Sequence, residues 1–96
     1  MEDKAEGYVP TLTYRCDAGR ICIGGEIDMK SVAVVRPVML AGADPIELDL
    51  SDVTFMDSSG IKLLVLAKLR RGVRLVATSA AVDRLLELTG LTDEFT

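Results

Sequence analysis

Asp57-Ser58-Ser59-Gly60 is the stretch of this 96-residue chain best placed for chemistry. It stands between a strand-like run and an apolar helical run. The first amides of a helix lack internal partners, and that end favours negative charge. In open α/β sheets, ligand and partner sites gather beyond the strand C-termini. A phosphate on Ser58 or Ser59 would bring about −1.5 to −2 charge to such a place at neutral pH. It would rewrite a surface and leave the core intact. Serine and aspartate are also preferred helix caps, so Asp57 and Ser58 could serve only that purpose. On spacing alone, the cap comes first.

Other chemistries are narrower. The chain has no histidine, which excludes Ser-His-Asp and Cys-His catalysis and any histidine-containing metal site. Two cysteines, Cys16 and Cys22, cannot make a four-thiolate zinc site. If a three-residue loop joined their strands, they would face each other as a redox pair; packing as small strand residues is the plainer reading. Ser59-Gly60-Ile61-Lys62 fits the Ser-x-x-Lys pattern of acyl-transfer enzymes, but the companion motifs are missing. An aspartyl-phosphate receiver, with Asp49 or Asp57 as acceptor, would need an acidic pair and a helix after the first strand. No catalytic residue, metal or cofactor is expected. Residues 58–82 contain no acid and carry Lys62, Lys68, Arg70, Arg71 and Arg74. Without interleaved aromatics, this reads as a solvated helix end, with an acidic protein partner second. The net charge of −4 and pI near 4.7 argue against nucleic-acid or anionic-membrane binding.

The elements that must position these residues follow from apolar spacing. Residues 1–10 are expected to be a flexible tail and 11–96 one domain, too short to divide. Residues 11–16 alternate as a strand, 17–20 turn, and the alternation resumes at Ile21. Asp28 can cap a helix starting near Met29. Pro37 lies inside that helix, which should be short or kinked and end by Gly42. Residues 45–50 read as a strand and 51–56 as a connection. A helix from about Ser59 to Arg71 is apolar from Ile61 to Leu69 except at Lys62 and Lys68. It is either buried on most of its circumference or meets a partner. A strand over 73–77 and a Ser79-capped helix over 80–88 follow. The order β-β-α-β-α-β-α implies an α/β fold, a mixed, mostly parallel sheet with helices packed on it. The N-terminus lacks a secretory pattern and no apolar stretch is long enough to span a bilayer. A cytoplasmic protein with reduced thiols is expected.

Four segments carry a family resemblance: Gly25-Glu26-Ile27-Asp28; Ile46-Glu47-Leu48-Asp49-Leu50-Ser51; Val53-Thr54-Phe55-Met56-Asp57-Ser58-Ser59-Gly60; and Arg84-Leu85-Leu86-Glu87-Leu88-Thr89-Gly90-Leu91. In that order, over roughly residues 11–95, the chain resembles the STAS domain, and within it the bacterial anti-sigma factor antagonists. The resemblance implies that Ser59 is a phosphate acceptor. Its kinase would be a partner anti-sigma factor with serine kinase activity, opposed by a serine phosphatase. The unphosphorylated chain would bind the anti-sigma factor and free the sigma factor. Asp28 matches a position beside the acceptor on the partner surface. Asp57, Ser58, Gly60 and Ile61 would shape that surface, with the apolar start of the helix supplying contact. Lys62 stands where the family often has a small residue. Positions i and i+3 share a helix face, so Lys62 would partly neutralise a phosphate on Ser59. The competing reading is an unphosphorylated STAS scaffold subunit of a lipid-transport ATPase or signalling complex.

Overall fold

Side chains that alternate along a strand leave one face of a sheet apolar and the other polar, and this chain follows that rule through its first half. A computed structural model describes residues 5–9, as backbone, and 11–95. Strands β1 (Ala5–Val9), β2 (Leu12–Asp17) and β3 (Arg20–Ile27) form an antiparallel meander. Then come α1 (Val32–Leu40), β4 (Ile46–Met56), α2 (Ser58–Arg71), β5 (Val73–Thr78), α3 (Ala80–Thr89) and a 3-10 turn over Thr92–Glu94. The sheet order is β1-β2-β3-β4-β5, with β3-β4 and β4-β5 parallel. From β2 to α3 the order is the expected β-β-α-β-α-β-α.

The tail expectation needs correcting at Ala5–Val9, which pairs with β2 instead of standing free; residues 1–4, 10 and 96 lie outside the described residues. The β2-β3 connection is also tighter than a three-residue loop. Asp17 pairs with Arg20, so only Ala18 and Gly19 turn, both with positive φ. Cys16 then faces Ile21, while Cys22 faces Arg15. Paired strand residues share a face and neighbours alternate, so the two thiols point to opposite sides of the sheet. Both are free, and the redox pairing is excluded. Cys16 lies against the core, and that burial, with Cys22 a lesser contributor, pushes its thiol above the ordinary value.

The strand β4 explains why 51–56 looks like a loop in sequence. Its buried residues are Ile46, Leu48, Leu50, Val53 and Met56. Their spacing changes from two to three where the pairing with β3 shifts, between Cys22 and Gly24 and again between Gly25 and Glu26. Each shift is a bulge that lets one extra residue pass and returns the next apolar side chain to the core face.

One cluster joins these residues to Leu12, Ile21, Ile23 and Ile27 from the sheet and to Val35, Met39, Leu63, Leu64, Ala67, Val82 and Leu86 from the helices. The helices therefore cover one face. The other carries Arg15, Asp17, Arg20, Glu47 and Asp49, with Arg20 and Arg74 both paired to Glu47 at 3.0 and 3.5 Å. Pro37 is accommodated inside α1 because it is exposed and because Ala33, which loses a donor to it, also faces solvent. Arg71 closes the far end of α1. It donates to the carbonyls of Asp44 at 2.6 Å and Met39 at 3.3 Å. No helix among the described residues is long and apolar enough to cross a membrane.

Candidate functional site

Two parallel strands end side by side, and the candidate residues lie just beyond them. Ile27 of β3 pairs with Met56 of β4, and the Asp57 N–H donates to the Ile27 carbonyl at 3.1 Å. Asp28 and Asp57 thus leave adjacent strand ends. Asp57 caps α2, whereas Asp28 holds the turn that leads into α1, which begins at Val32 and not near Met29 as expected.

Asp28 and Ser31 bond reciprocally. The Asp28 carboxylate accepts from the backbone N–H of Lys30 at 2.9 Å and of Ser31 at 2.8 Å. The Ser31 hydroxyl accepts from the Asp28 N–H at 2.9 Å and donates to the Glu26 carbonyl at 2.7 Å. Ser31 is buried as a result, with its polar atoms satisfied. The Ser31 N–H is the main reason the Asp28 carboxyl sits below the ordinary value of 3.8. A depressed folded pKa gives stability that is present above the unfolded value and lost as pH falls through the folded one. Asp28→Asn keeps the capping oxygen and removes the charge. Urea unfolding from neutral pH down through the carboxyl range should show a somewhat less stable variant at neutrality, the two chains converging in acid. It should show a shallower acid loss than in the parent chain, whereas parallel acid limbs would remove Asp28 from the account.

Asp57 is the N-cap of α2, with an extended backbone, and its carboxylate accepts from the Ser59 N–H at 2.8 Å. Ser58 is exposed and Ser59 is half-buried. The Ser59 hydroxyl makes no hydrogen bond to any described residue. The Ser58 hydroxyl makes none either, so a transferase could esterify either serine without first breaking a native bond.

Gly60 and Ile61 depart from their expected role. Gly60 is buried and Ile61 is only 8% exposed, so neither offers a partner much to touch. They pack the head of α2 onto the strand ends. A Cβ at Gly60 would lie 2.5 Å from Met56 Cγ and 3.0 Å from Ile27 Cγ2. The apolar surface at this edge comes instead from Met29, 77% exposed, and Phe55, 49% exposed. Each adjoins a motif the sequence reading singled out, Met29 after Asp28 and Phe55 two places before Asp57. A large apolar residue beside a polar motif was the signal that could have found them.

The alternative chemistries find no support in the geometry. Asp49 lies within β4 on the polar sheet face, where the Ser51 hydroxyl donates to it at 2.6 Å and holds its carboxyl below the usual range; this is not an acceptor at a strand end. The basic residues of 58–82 are dispersed. Lys68 pairs with Glu94 at 2.9 Å and lies 5.5 Å from the centre of the Phe95 ring. Arg71 caps α1 and Arg74 pairs with Glu47. Lys62 and Arg70 make no ion pair with a described residue. No group of three or more Cys, Asp or Glu side chains among the described residues is placed to hold a metal ion.

The chain is similar to known proteins along most of its length. A family model described as Mlab, STAS domain, matches residues 12–95. An anti-sigma-B factor antagonist of Staphylococcus aureus (strain NCTC 8325 / PS 47) is 32% identical over 80 residues, 74% of this chain and 74% of that protein. Its counterpart in Staphylococcus epidermidis is 29% identical over 94 residues, 88% of this chain and 86% of that one. The crystal structure of an anti-sigma factor antagonist from Mycobacterium paratuberculosis superposes with a TM-score of 0.70 at 25% identity, covering 96% of this chain and 80% of the other. The match runs from the first residue of β2 past the 3-10 turn, across the whole framework that sets Asp28 beside Asp57, and the chain belongs to the STAS domain family.

Proposed function

We propose that this protein is an anti-sigma factor antagonist, a binding protein without catalytic activity of its own, switched by phosphorylation of Ser59. The observation that carries this reading is the unpartnered, half-buried Ser59 hydroxyl at the head of α2, in a chain whose relatives are named for antagonism. The unphosphorylated chain docks on an anti-sigma factor through the edge formed by Asp28, Met29, Phe55, Asp57, Ser58 and Ser59. The docked factor is also the kinase. Ser59 Oγ attacks the γ-phosphorus of ATP, the new P–O bond forms as the bond to ADP breaks, and the hydroxyl proton is released. The phosphate then stands among the carboxylates of Asp28 and Asp57 on a surface that has to be desolvated for binding. A serine phosphatase restores the hydroxyl with water. The setting is the cytoplasm, where sigma factors act.

The test is incubation with candidate anti-sigma factors and Mg-ATP, followed by mapping of the modified residue. The expected product carries one phosphate, on Ser59. A phosphate on any other residue, or none with any factor that binds the chain tightly, would overturn the proposal. The second reading is a constitutive docking subunit. It requires no hydroxyl at Ser59.

A further inference from the structure

We propose that Lys62 is the counter-ion of the phosphate on Ser59 and that it limits how far phosphorylation weakens partner binding. This rests on Ser59 being the acceptor. Lys62 lies three residues on, on the same face of α2. Helical side chains lean toward the N-terminus and cover the turn before their own Cα, so a lysine at position 62 is within reach of the turn that holds Ser59. Lys62 is exposed and makes no ion pair with a described residue, so pairing with a phosphate would break no existing bond. The other cations of α2 are committed or distant. Lys68 and Arg71 have partners, and Arg70 is eleven residues on, about 16 Å along the axis at 1.5 Å per residue. The remaining charged groups at this edge are Asp28 and Lys30 on the β3-α1 connection, Asp57 at the cap, and Glu26 at the end of β3. Three are acids and repel the ester. Lys30, exposed, is the rival cation.

The consequence is a shallower switch. A dianionic phosphate alone would add roughly two negative charges, and pairing with Lys62 leaves about one. The phosphorylated chain should therefore keep part of its affinity, and removing Lys62 should deepen the difference between the two states.

The experiment uses the full chain with phosphoserine installed at position 59 during synthesis, so its outcome does not depend on which kinase acts. A 31P NMR titration reports the second ionisation of the phosphate, ordinarily near pH 6. Pairing of an exposed kind should hold it lower, so Lys62→Gln should raise it by roughly 0.2 to 0.7. Lys62→Arg should restore it, and salt at about 1 M should erase the difference. In calorimetry, Lys62→Gln should widen the affinity ratio of the unphosphorylated to the phosphorylated chain by about 2- to 5-fold. An unchanged titration in Lys62→Gln, or a rise in Lys30→Gln alone, overturns the assignment of Lys62. Neither result bears on whether Ser59 is the acceptor, which the kinase mapping decides separately.

Discussion

Ser59→Asp binds the anti-sigma factor at least about tenfold more weakly than Ser59→Ala. The reason is local. Ser59 donates its backbone N–H to Asp57, and its hydroxyl has no partner among the described residues. Alanine therefore leaves the cap and the fold intact and presents the unphosphorylated surface. Aspartate adds a carboxylate at the same edge as those of Asp28 and Asp57. Like charges juxtaposed at an interface cost several kcal/mol, and each ~1.4 kcal/mol is tenfold in affinity. A phosphate carries roughly twice the charge of a carboxylate, so the true phosphoprotein should lose at least as much, by an amount that pairing with Lys62 limits. Calorimetry of both variants against the same factor measures the difference. Equal affinities would leave the site as a docking face without a switch.

Gly25→Ala should lose about 3 kcal/mol or more of stability. Gly25 has φ of 90°, a region that side chains avoid. An added Cβ would also run into the Thr11 carbonyl oxygen. That oxygen accepts from the Glu26 N–H at 2.6 Å and cannot retreat without opening the β2-β3 pairing. For a domain whose whole stability is of the order of 5–15 kcal/mol, the midpoint should fall by more than roughly 10 °C. Gly19 supplies the control. Its φ is 85°, but nothing lies within 4 Å of its would-be Cβ. Gly19→Ala should cost only the backbone preference, about 1–2 kcal/mol. Equal losses in the two variants would show that the clash contributes nothing. Thermal unfolding followed by circular dichroism separates them.

Local rules made most of this molecule legible. Strict alternation in 12–17 and 20–23, the Ser79 cap, and Gly72 and Gly90 beyond the last helical turns each act through neighbours in the chain. The α2 helix was readable because its apolar run leaves only Lys62 and Lys68 polar before Arg70. The resemblance carried by Asp57-Ser58-Ser59-Gly60 pointed to Ser59. Residues 51–56 were not legible as strand, because two bulges against β3 reset the face and broke the period of two that identifies one. The edge strand β1 escaped for a related reason. Its residues include Glu6 and Gly7 and gain their order from pairing with β2.

By itself, then, the sequence determined the order of elements from β2 onward and the absence of histidine chemistry. Periodicity, caps and composition are properties of a chain and its near neighbours. Only the tertiary structure decided that Cys16 and Cys22 are back to back, that Gly60 and Ile61 face inward, and that Met29 and Phe55 are exposed. Each depends on register and on which face a residue occupies after a bulge or a tight turn. A shift of one residue reverses that face, and the strands that set it meet only when the sheet closes.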